Sequence, residues 1–336
     1  MDMIDARRVD ELLAYPSLID VLGVAFREGA ASPLRHHHQI PRGELAEATL
    51  LLMPAWTLAD GSETIAGDFA GVKLVTVTPD NGPRHALPAI SALYVLIETD
   101  TGKPLSLIDG AKLTVWRTAA ASGLASRYLS RADSRHLLLV GAGALAPYLA
   151  RAHASVRPID TITIWNRTPA NAKVLADTLA SEGFATSVAD DLTNAVANAD
   201  IVSTATISET ALISGDALSA GTHLDCVGAF RPNMRETDDT CVQRARIYVD
   251  TMVGGTEEAG DIVLPLSAGV ISKDDIVGDL FALARGEIDG RRGDTEITMF
   301  KSVGASIEDL FAAVAVHDAN GAMSPAHAEA GLSDDV

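Results

Sequence analysis

The stretch HLLLVGAGALAPYLA, residues 136–150, constrains this chain more than any other. Four consecutive apolar residues (137–140) run into a glycine-spaced turn, and the turn opens an alanine- and leucine-rich helix. The order strand, tight turn, helix puts Gly141, Gly143 and Ala146 in a G-x-G-x-x-A arrangement. Gly141 lets the chain turn sharply, Gly143 lets backbone N–H groups approach a pyrophosphate, and Ala146 lets the helix pack close to the strand. With Ala144 and Leu145 the turn forms a candidate phosphate cradle at the positive end of a helix dipole.

Around this motif the pattern is alternating. Strands are predicted at 136–140, 160–165, 184–188, 200–205, 222–228 and 246–250, with helices at 143–155, 169–182 and 237–245, and further helices at 273–286 and 305–318. Six strands with intervening helices are what a dinucleotide-binding (Rossmann) domain requires. The chain before it reads differently. Residues 3–30 carry apolar positions at helical spacing around Pro16. Short β-rich runs follow at 47–53, 71–78, 92–98 and 104–108, bounded by turn clusters such as Ala59-Asp60-Gly61-Ser62 and Pro79-Asp80-Asn81-Gly82. Their spacing suits an antiparallel sheet, and LTVWRTAAASGLASRYLS (113–130) is a long helix with a small-residue face. The fold class is therefore α/β: a Rossmann domain plus an α+β N-terminal lobe. The expected division is 1–118 for the lobe, 119–304 for the nucleotide domain, and a loose tail at 321–336.

At 336 residues the chain suits two domains. A net charge of −19 without a Lys/Arg cluster argues against nucleic acid and against an anionic membrane surface. No apolar run approaches the ~20 residues of a spanning helix, and the first residues lack the apolar core of a signal peptide. Cys226 and Cys241 stand apart and read as buried free thiols in a reducing, cytoplasmic compartment. Consecutive His36, His37 and His38 in an extended segment point to alternate faces and carry no metal-ligand spacing, so no metal is expected.

The second strand of the nucleotide domain ends in Asn166-Arg167-Thr168. An acidic residue there would read the ribose hydroxyl of NAD, whereas an arginine accommodates the 2′-phosphate of NADP. With no carboxylate present and Arg167 flanked by amide and hydroxyl groups, NADP is favoured, with NAD remaining possible. Thr168, ahead of Pro169, also reads as a helix N-cap. Thr204, Ala205 and Thr206 after the fourth strand, and Val227 and Gly228 after the fifth, fall where a dinucleotide lies.

Taken together, LLMPAW (51–56), GVKLV (71–75), LTVWRTAAAS (113–122), VGAGALA (140–146), IWNRT (164–168), VGAFRPNMRE (227–236), EEAGD (257–261) and FKSVGASIED (300–309) resemble the ornithine cyclodeaminase/μ-crystallin family. The resemblance implies a homodimer acting on α-amino or α-imino acids, with the N-terminal lobe completed by the C-terminal helix, 305–320. It places a carboxylate clamp on Arg42, Lys73 and Arg117, a phosphate-contacting threonine at Thr118, and Ser302 and Gly304 beside the nicotinamide. Arg42 and Arg117 can each offer a paired N–H fork, and Lys73 is a compact donor. An unpaired ammonium mid-strand among apolar residues would be costly. Two departures are informative. The cyclodeaminases place an aspartate after the Val/Gly pair, where this chain has Ala229. They also carry a glutamate for the distal amine where this chain has Leu50, Leu51 and Leu52.

The resulting expectation is an NADPH-dependent reductase of a cyclic α-imino acid, Δ1-pyrroline-2-carboxylate to L-proline, or Δ1-piperideine-2-carboxylate to L-pipecolate. Lys73 beside two guanidiniums should have a lowered pKa and serve as proton donor. Leu51, Met53 and Trp56 would wall the ring, with Met53 touching substrate. Asp250, Glu258 and Asp261 are read as structural, and the Glu308/Asp309 pair as capping or bridging a helix. Alternatives are an alanine-type dehydrogenase, an ornithine cyclodeaminase, and a ligand-binding crystallin-like protein with little turnover.

Overall fold

A computed structural model of the chain describes residues 1–58 and 68–323. The turn cluster at 59–62 and the tail beyond 323 lie outside the described residues. The chain divides into two compact units, Met1–Arg117 with Ser306 onward, and Thr118–Ala305.

The first unit runs β1 (Asp2–Ile4), α1 (Ala6–Leu12), α2 (Tyr15–Glu28), β2 (Ala30–Ala31), β3 (His36–Ile40), β4 (Ala48–Thr57), β5 (Phe69–Val77), α3 (Asn81–His85), β6 (Ile90–Glu98) and β7 (Pro104–Asp109). Helix α4 (Gly110–Leu129) carries the chain across the division. The sheet order is β1-β7-β6-β5-β4-β2, with β3 also pairing β4. All of these pairs are antiparallel except β1 with β7. Strand β5 shows why the pattern reads as it does: Phe69, Gly71, Lys73 and Val75 alternate onto the buried face. Gly71 is required there, because a Cβ would sit 2.2 Å from the Tyr94 hydroxyl of the next strand. Pro16 takes one of the first two positions of α2, where its missing N–H costs nothing.

The second unit continues with β8 (His136–Val140), α5 (Ala146–Val156), β9 (Thr161–Trp165), α6 (Pro169–Ser181), β10 (Ala185–Val188), α7 (Leu192–Ala197), β11 (Ile201–Thr204), β12 (His223–Cys226), α8 (Asp239–Arg244), β13 (Arg246–Val249), α9 (Met252–Glu257), α10 (Gly260–Ser267), β14 (Ile276–Asp279), α11 (Leu280–Arg285) and β15 (Thr298–Lys301). Helix α12 (Ser306–Ala322) returns to the first unit, where it packs on β4, β5, β6 and α2.

The second unit's sheet is parallel throughout, in the order β10-β9-β8-β11-β12-β15-β13-β14. The chain order reverses between β8 and β11, which opens a crevice outside their carboxyl ends, where sheets of this kind bind ligands. Two features differ from the sequence reading. Strand β15, at residues where no strand is predicted, lies between β12 and β13. The helix expected over 273–286 is a short 3₁₀ turn (Lys273–Asp275), strand β14 and helix α11. β-Branched Ile276 and Val277 and Gly278, at φ +158°, interrupt helical propagation there.

Candidate functional site

In the second unit, the glycine turn closes as its spacing requires. Gly141 has φ +109°, and a Cβ there would lie 2.8 Å from the Ala205 carbonyl oxygen. At Gly143, by contrast, an added Cβ meets nothing within 4 Å, so that position faces open space. Asn166 staples the turn to the end of β9: its Oδ1 accepts from the Ala142 N–H at 3.1 Å, and its Nδ2 donates to the Thr168 carbonyl at 2.9 Å. Leu145 and Thr168 are the N-caps of α5 and α6, neither with a side-chain capping bond, and Ala144 is exposed beside Gly143. These elements border a cavity of ≈ 440 Å³ lined by Gly141, Gly143, Asn166, Arg167, Ala205 and Thr206, among others. Arg167 is exposed on its wall, and among the described residues no carboxylate lines it. A cradle that a Cβ at Gly143 would fill, at the opening of a helix, fits a dinucleotide pyrophosphate.

The loops on the far side of this crevice are tied to buried charges. Thr204 Oγ1 donates to Glu236 at 2.8 Å and the Thr206 N–H donates to the other oxygen at 2.7 Å. A Cβ at Gly228 would strike that same carboxylate at 2.4 Å. The Val227 and Gly228 N–H groups both donate to the Thr204 carbonyl. Lys301 donates to the Gly228 carbonyl and, at 3.1 Å, to Asp261. Asp261 in turn receives the Glu236 and Thr237 N–H groups at 2.8 and 2.9 Å. Burial pushes the Glu236 carboxyl up to about 7 despite the Lys301 ammonium. Burial opposes the Lys301 charge too, but Asp261 and Glu236 outweigh it and raise its pKa. Asp250 holds the next loop, accepting from Val303 N–H at 2.7 Å, Gly304 N–H at 2.6 Å and the Ser302 hydroxyl at 3.2 Å. Ala229, where a cyclodeaminase would have its aspartate, is buried at φ +47°.

The first unit contains the cationic centre. Antiparallel pairing sets Met53, Lys73 and Tyr94 in one row across β4, β5 and β6, all on the face covered by α12. Lys73 is 2% exposed and donates to Asp309 Oδ1 at 2.8 Å; Oδ2 is nearer, at 2.6 Å, as an ion-pair contact without hydrogen-bond geometry. Arg117 Nε donates to the same Oδ1 at 2.9 Å, and another of its nitrogens to Glu308 at 2.7 Å. Burial drives the Lys73 ammonium down to about 8: Asp309 opposes the fall, while Arg117 and Arg35 add to it. The Asp309 carboxyl lies below its ordinary value because Arg117 and Lys73 outweigh the desolvation. Thr118, buried next to Arg117 on α4, begins the second unit.

Two expected neighbours of Lys73 stand elsewhere. Arg42 lies beyond the last β3–β4 pair, Ile40 with Ala48, and its guanidinium is committed to Asp80 at 2.5 Å. The arginine level with Lys73 is Arg35. It precedes the His36–Leu52 pair by one residue, in line with Met53, and its charge is felt at Lys73. Trp56 is 42% exposed and, by strand alternation, faces away from Leu51 and Met53, so it does not join them in a wall beside Lys73. Sequence reasoning missed Arg35 because only strand register reveals its row. It also read Glu308 and Asp309 as capping or bridging a helix and gave them no chemistry, although two adjacent acids within the buried, mainly apolar N-terminal half of α12 are the signal of a paired buried charge. His36, His37 and His38 are exposed on β3, and Cys226 and Cys241 are buried free thiols.

A sequence profile of the ornithine cyclodeaminase/mu-crystallin family matches residues 1–323. The chain belongs to that family. It is 38% identical over 324 residues to a Δ1-pyrroline-2-carboxylate reductase of Colwellia psychrerythraea, covering 94% of this chain and 98% of the relative. Among solved structures, Thermococcus litoralis Δ1-pyrroline-2-carboxylate reductase in complex with NADH and L-proline aligns over 100% of both chains at TM-score 0.87 and 30% identity. An archaeal alanine dehydrogenase dimer with bound NAD aligns over 96% of both chains at TM-score 0.86 and 28% identity. No helix among the described residues is long and apolar enough to cross a membrane.

Proposed function

We propose that this protein is an NAD(P)H-dependent reductase of a cyclic α-imino acid, with Δ1-pyrroline-2-carboxylate to L-proline as the leading reaction and Δ1-piperideine-2-carboxylate as the six-membered analogue. The observation that carries the reading is the buried Lys73–Arg117 pair with Arg35 in its row, joined to an alanine at position 229. The likeness to reductases of that name supports it. Arg35 and Arg117 supply guanidinium forks for the substrate carboxylate. Fixing the carboxylate orients the adjacent C=N carbon, and orientation of this kind supplies several kcal/mol of a barrier. Lys73, with a pKa near 8, is an ammonium at neutral pH that can still release its proton, the property a donor to the imine nitrogen needs. Met53 and Leu51 offer apolar surface beside it, suited to ring carbons and not to a second charge.

The turn at Gly141–Leu145, the Asn166–Thr168 segment, the loops at Thr204–Thr206 and Val227–Gly228, and Ser302 with Gly304 would hold the nicotinamide dinucleotide, which supplies the hydride when bound. Arg167 favours NADPH over NADH. We also read the protein as a homodimer, as the archaeal alanine dehydrogenase is, and as cytoplasmic, since its two buried thiols stay free. The same likeness supports one alternative, reductive amination of pyruvate. The test is an initial-rate panel with NADPH and NADH against Δ1-pyrroline-2-carboxylate, Δ1-piperideine-2-carboxylate, pyruvate plus ammonium, and L-ornithine. The cyclic imines should give the highest kcat/KM; ammonium-dependent turnover of pyruvate above them would install the dehydrogenase.

A further inference from the structure

Asp309 enters the buried face of the first unit's sheet from the first turn of α12, with no exposed surface. One oxygen, Oδ1, receives both Lys73 Nζ at 2.8 Å and Arg117 Nε at 2.9 Å, so the two cations are spaced by a single acceptor. We infer that Asp309 is a positioning residue of the reduction: its carboxylate sets the separation of Lys73 and Arg117, and its charge keeps Lys73 protonated. The catalytic half of this inference rests on the reading of Lys73 as proton donor.

The charges around Lys73 show why an anion is needed there. Arg117 faces it from α4, Arg35 from the segment before β3, and Tyr94 from β6 as a buried phenol whose own ionisation is suppressed. Both guanidiniums disfavour the ammonium, and burial disfavours it more. Asp309 is the group opposing them, and even so the Lys73 pKa comes down to about 8. Without that carboxylate, desolvation and two like charges would lose their main opponent, and the Lys73 pKa would fall toward that of a neutral amine at neutral pH. Glu308 has a separate part. It bonds a terminal nitrogen of Arg117 at 2.7 Å, while Asp309 Oδ1 is the oxygen shared between the two cations.

A purely structural ion pair, locking α12 to the sheet, would show the same distances. The two roles separate in the titration of Lys73 itself. The chain has six lysines, at 73, 103, 112, 173, 273 and 301. In the full-length protein labelled with ¹³C at the lysine ε-carbons, the resonance missing from Lys73→Met is assigned to Lys73. Asp309→Asn should lower its midpoint by about one pH unit or more, and Glu308→Gln should move it less than Asp309→Asn does. An unshifted midpoint in Asp309→Asn overturns the inference. Asp309→Glu retains the charge and lengthens the arm, so it gives an independent reading should the asparagine variant not fold. There the midpoint should hold while kcat/KM falls about tenfold or more; wild-type kcat/KM would remove the positioning role. If the midpoint moves in Asp309→Asn but the basic limb of the rate profile does not, Asp309 keeps its hold on Lys73 and it is the donor assignment that fails.

Discussion

The choice between Arg35 and Arg42 as the second arginine of the carboxylate clamp can be decided by two alanine substitutions. The β3–β4 ladder runs from His36–Leu52 to Ile40–Ala48, and Met53 is paired with Lys73. From Ala48 to Met53 is five residues, about 17 Å along the strand at ~3.4 Å per residue. Arg42 stands past that end and is held by Asp80, whereas Arg35 stands level with Lys73. A charge-assisted hydrogen bond to a substrate carboxylate contributes about 1.5–3 kcal/mol. Arg35→Ala should therefore lower kcat/KM for Δ1-pyrroline-2-carboxylate by roughly 10- to 150-fold. Arg35→Lys should recover part of the loss, since it restores the charge without the fork. Arg42→Ala breaks its pairing with Asp80 and a hydrogen bond to the Ala46 carbonyl, and should stay within about threefold of wild type. Steady-state kinetics at saturating cofactor reads all three. A tenfold or greater loss in Arg42→Ala with Arg35→Ala near wild type would refute the register argument and return the clamp to the arginine first read from sequence.

Other perturbations follow from the cofactor unit. Gly143→Val should fold normally, because its Cβ meets nothing, yet raise the Kd for NADPH at least about tenfold by filling the cradle; fluorescence titration and thermal melting read the two effects separately. Gly141→Ala should instead lose stability by about 1–3 kcal/mol, since its φ of +109° and the Ala205 carbonyl both reject a Cβ. Arg167→Asp should move cofactor preference from NADPH toward NADH by about tenfold or more in the ratio of kcat/KM values, and an unchanged ratio would dismiss the phosphate role. Lys301→Met leaves Asp261 and Glu236 without their cation and should cost about 3–5 kcal/mol in denaturant unfolding. Glu236 binds its proton more tightly folded than unfolded, the pKa being raised from 4.5 to about 7. Its contribution is thus fully present below pH 4.5 and is lost as pH rises through 7. Relative to wild type, Glu236→Gln should gain stability across that window, and parallel pH–stability curves would contradict the shift.

Much of the architecture was legible because it rests on local patterns. The glycine turn, the alternating strands and helices from β8 to β13, and the antiparallel runs of the first unit are written in spacing and in turn residues. Strand order is not local. β15 slips between β12 and β13 through long-range parallel pairing, and its sequence TMFK carries no mark of that neighbour. The same limit governs the site. Lys73 and Arg117 were readable as cations misplaced among apolar and small residues. Arg35 became a candidate only when register set it beside Lys73, and Trp56 left the expected wall when alternation turned it to the other face. Asp309, more than two hundred residues from Lys73, could not be matched to it by any spacing. Two buried cations did require buried anions, and the adjacent acids of α12 were the ones its buried, mainly apolar N-terminal half had no other reason to carry.

The central claim is that a hydride passes from nicotinamide to the imine carbon of a substrate held by its carboxylate. It is tested most directly by reacting the purified protein with Δ1-pyrroline-2-carboxylate and NADPH deuterated at nicotinamide C4, followed by mass spectrometry and chiral analysis of the product. The account predicts L-proline carrying one deuterium at Cα from one face of the cofactor, formed one-for-one with NADP⁺, and abolished in Arg117→Ala. Cofactor that remains reduced in the presence of the imine, or proline without the label, would contradict it.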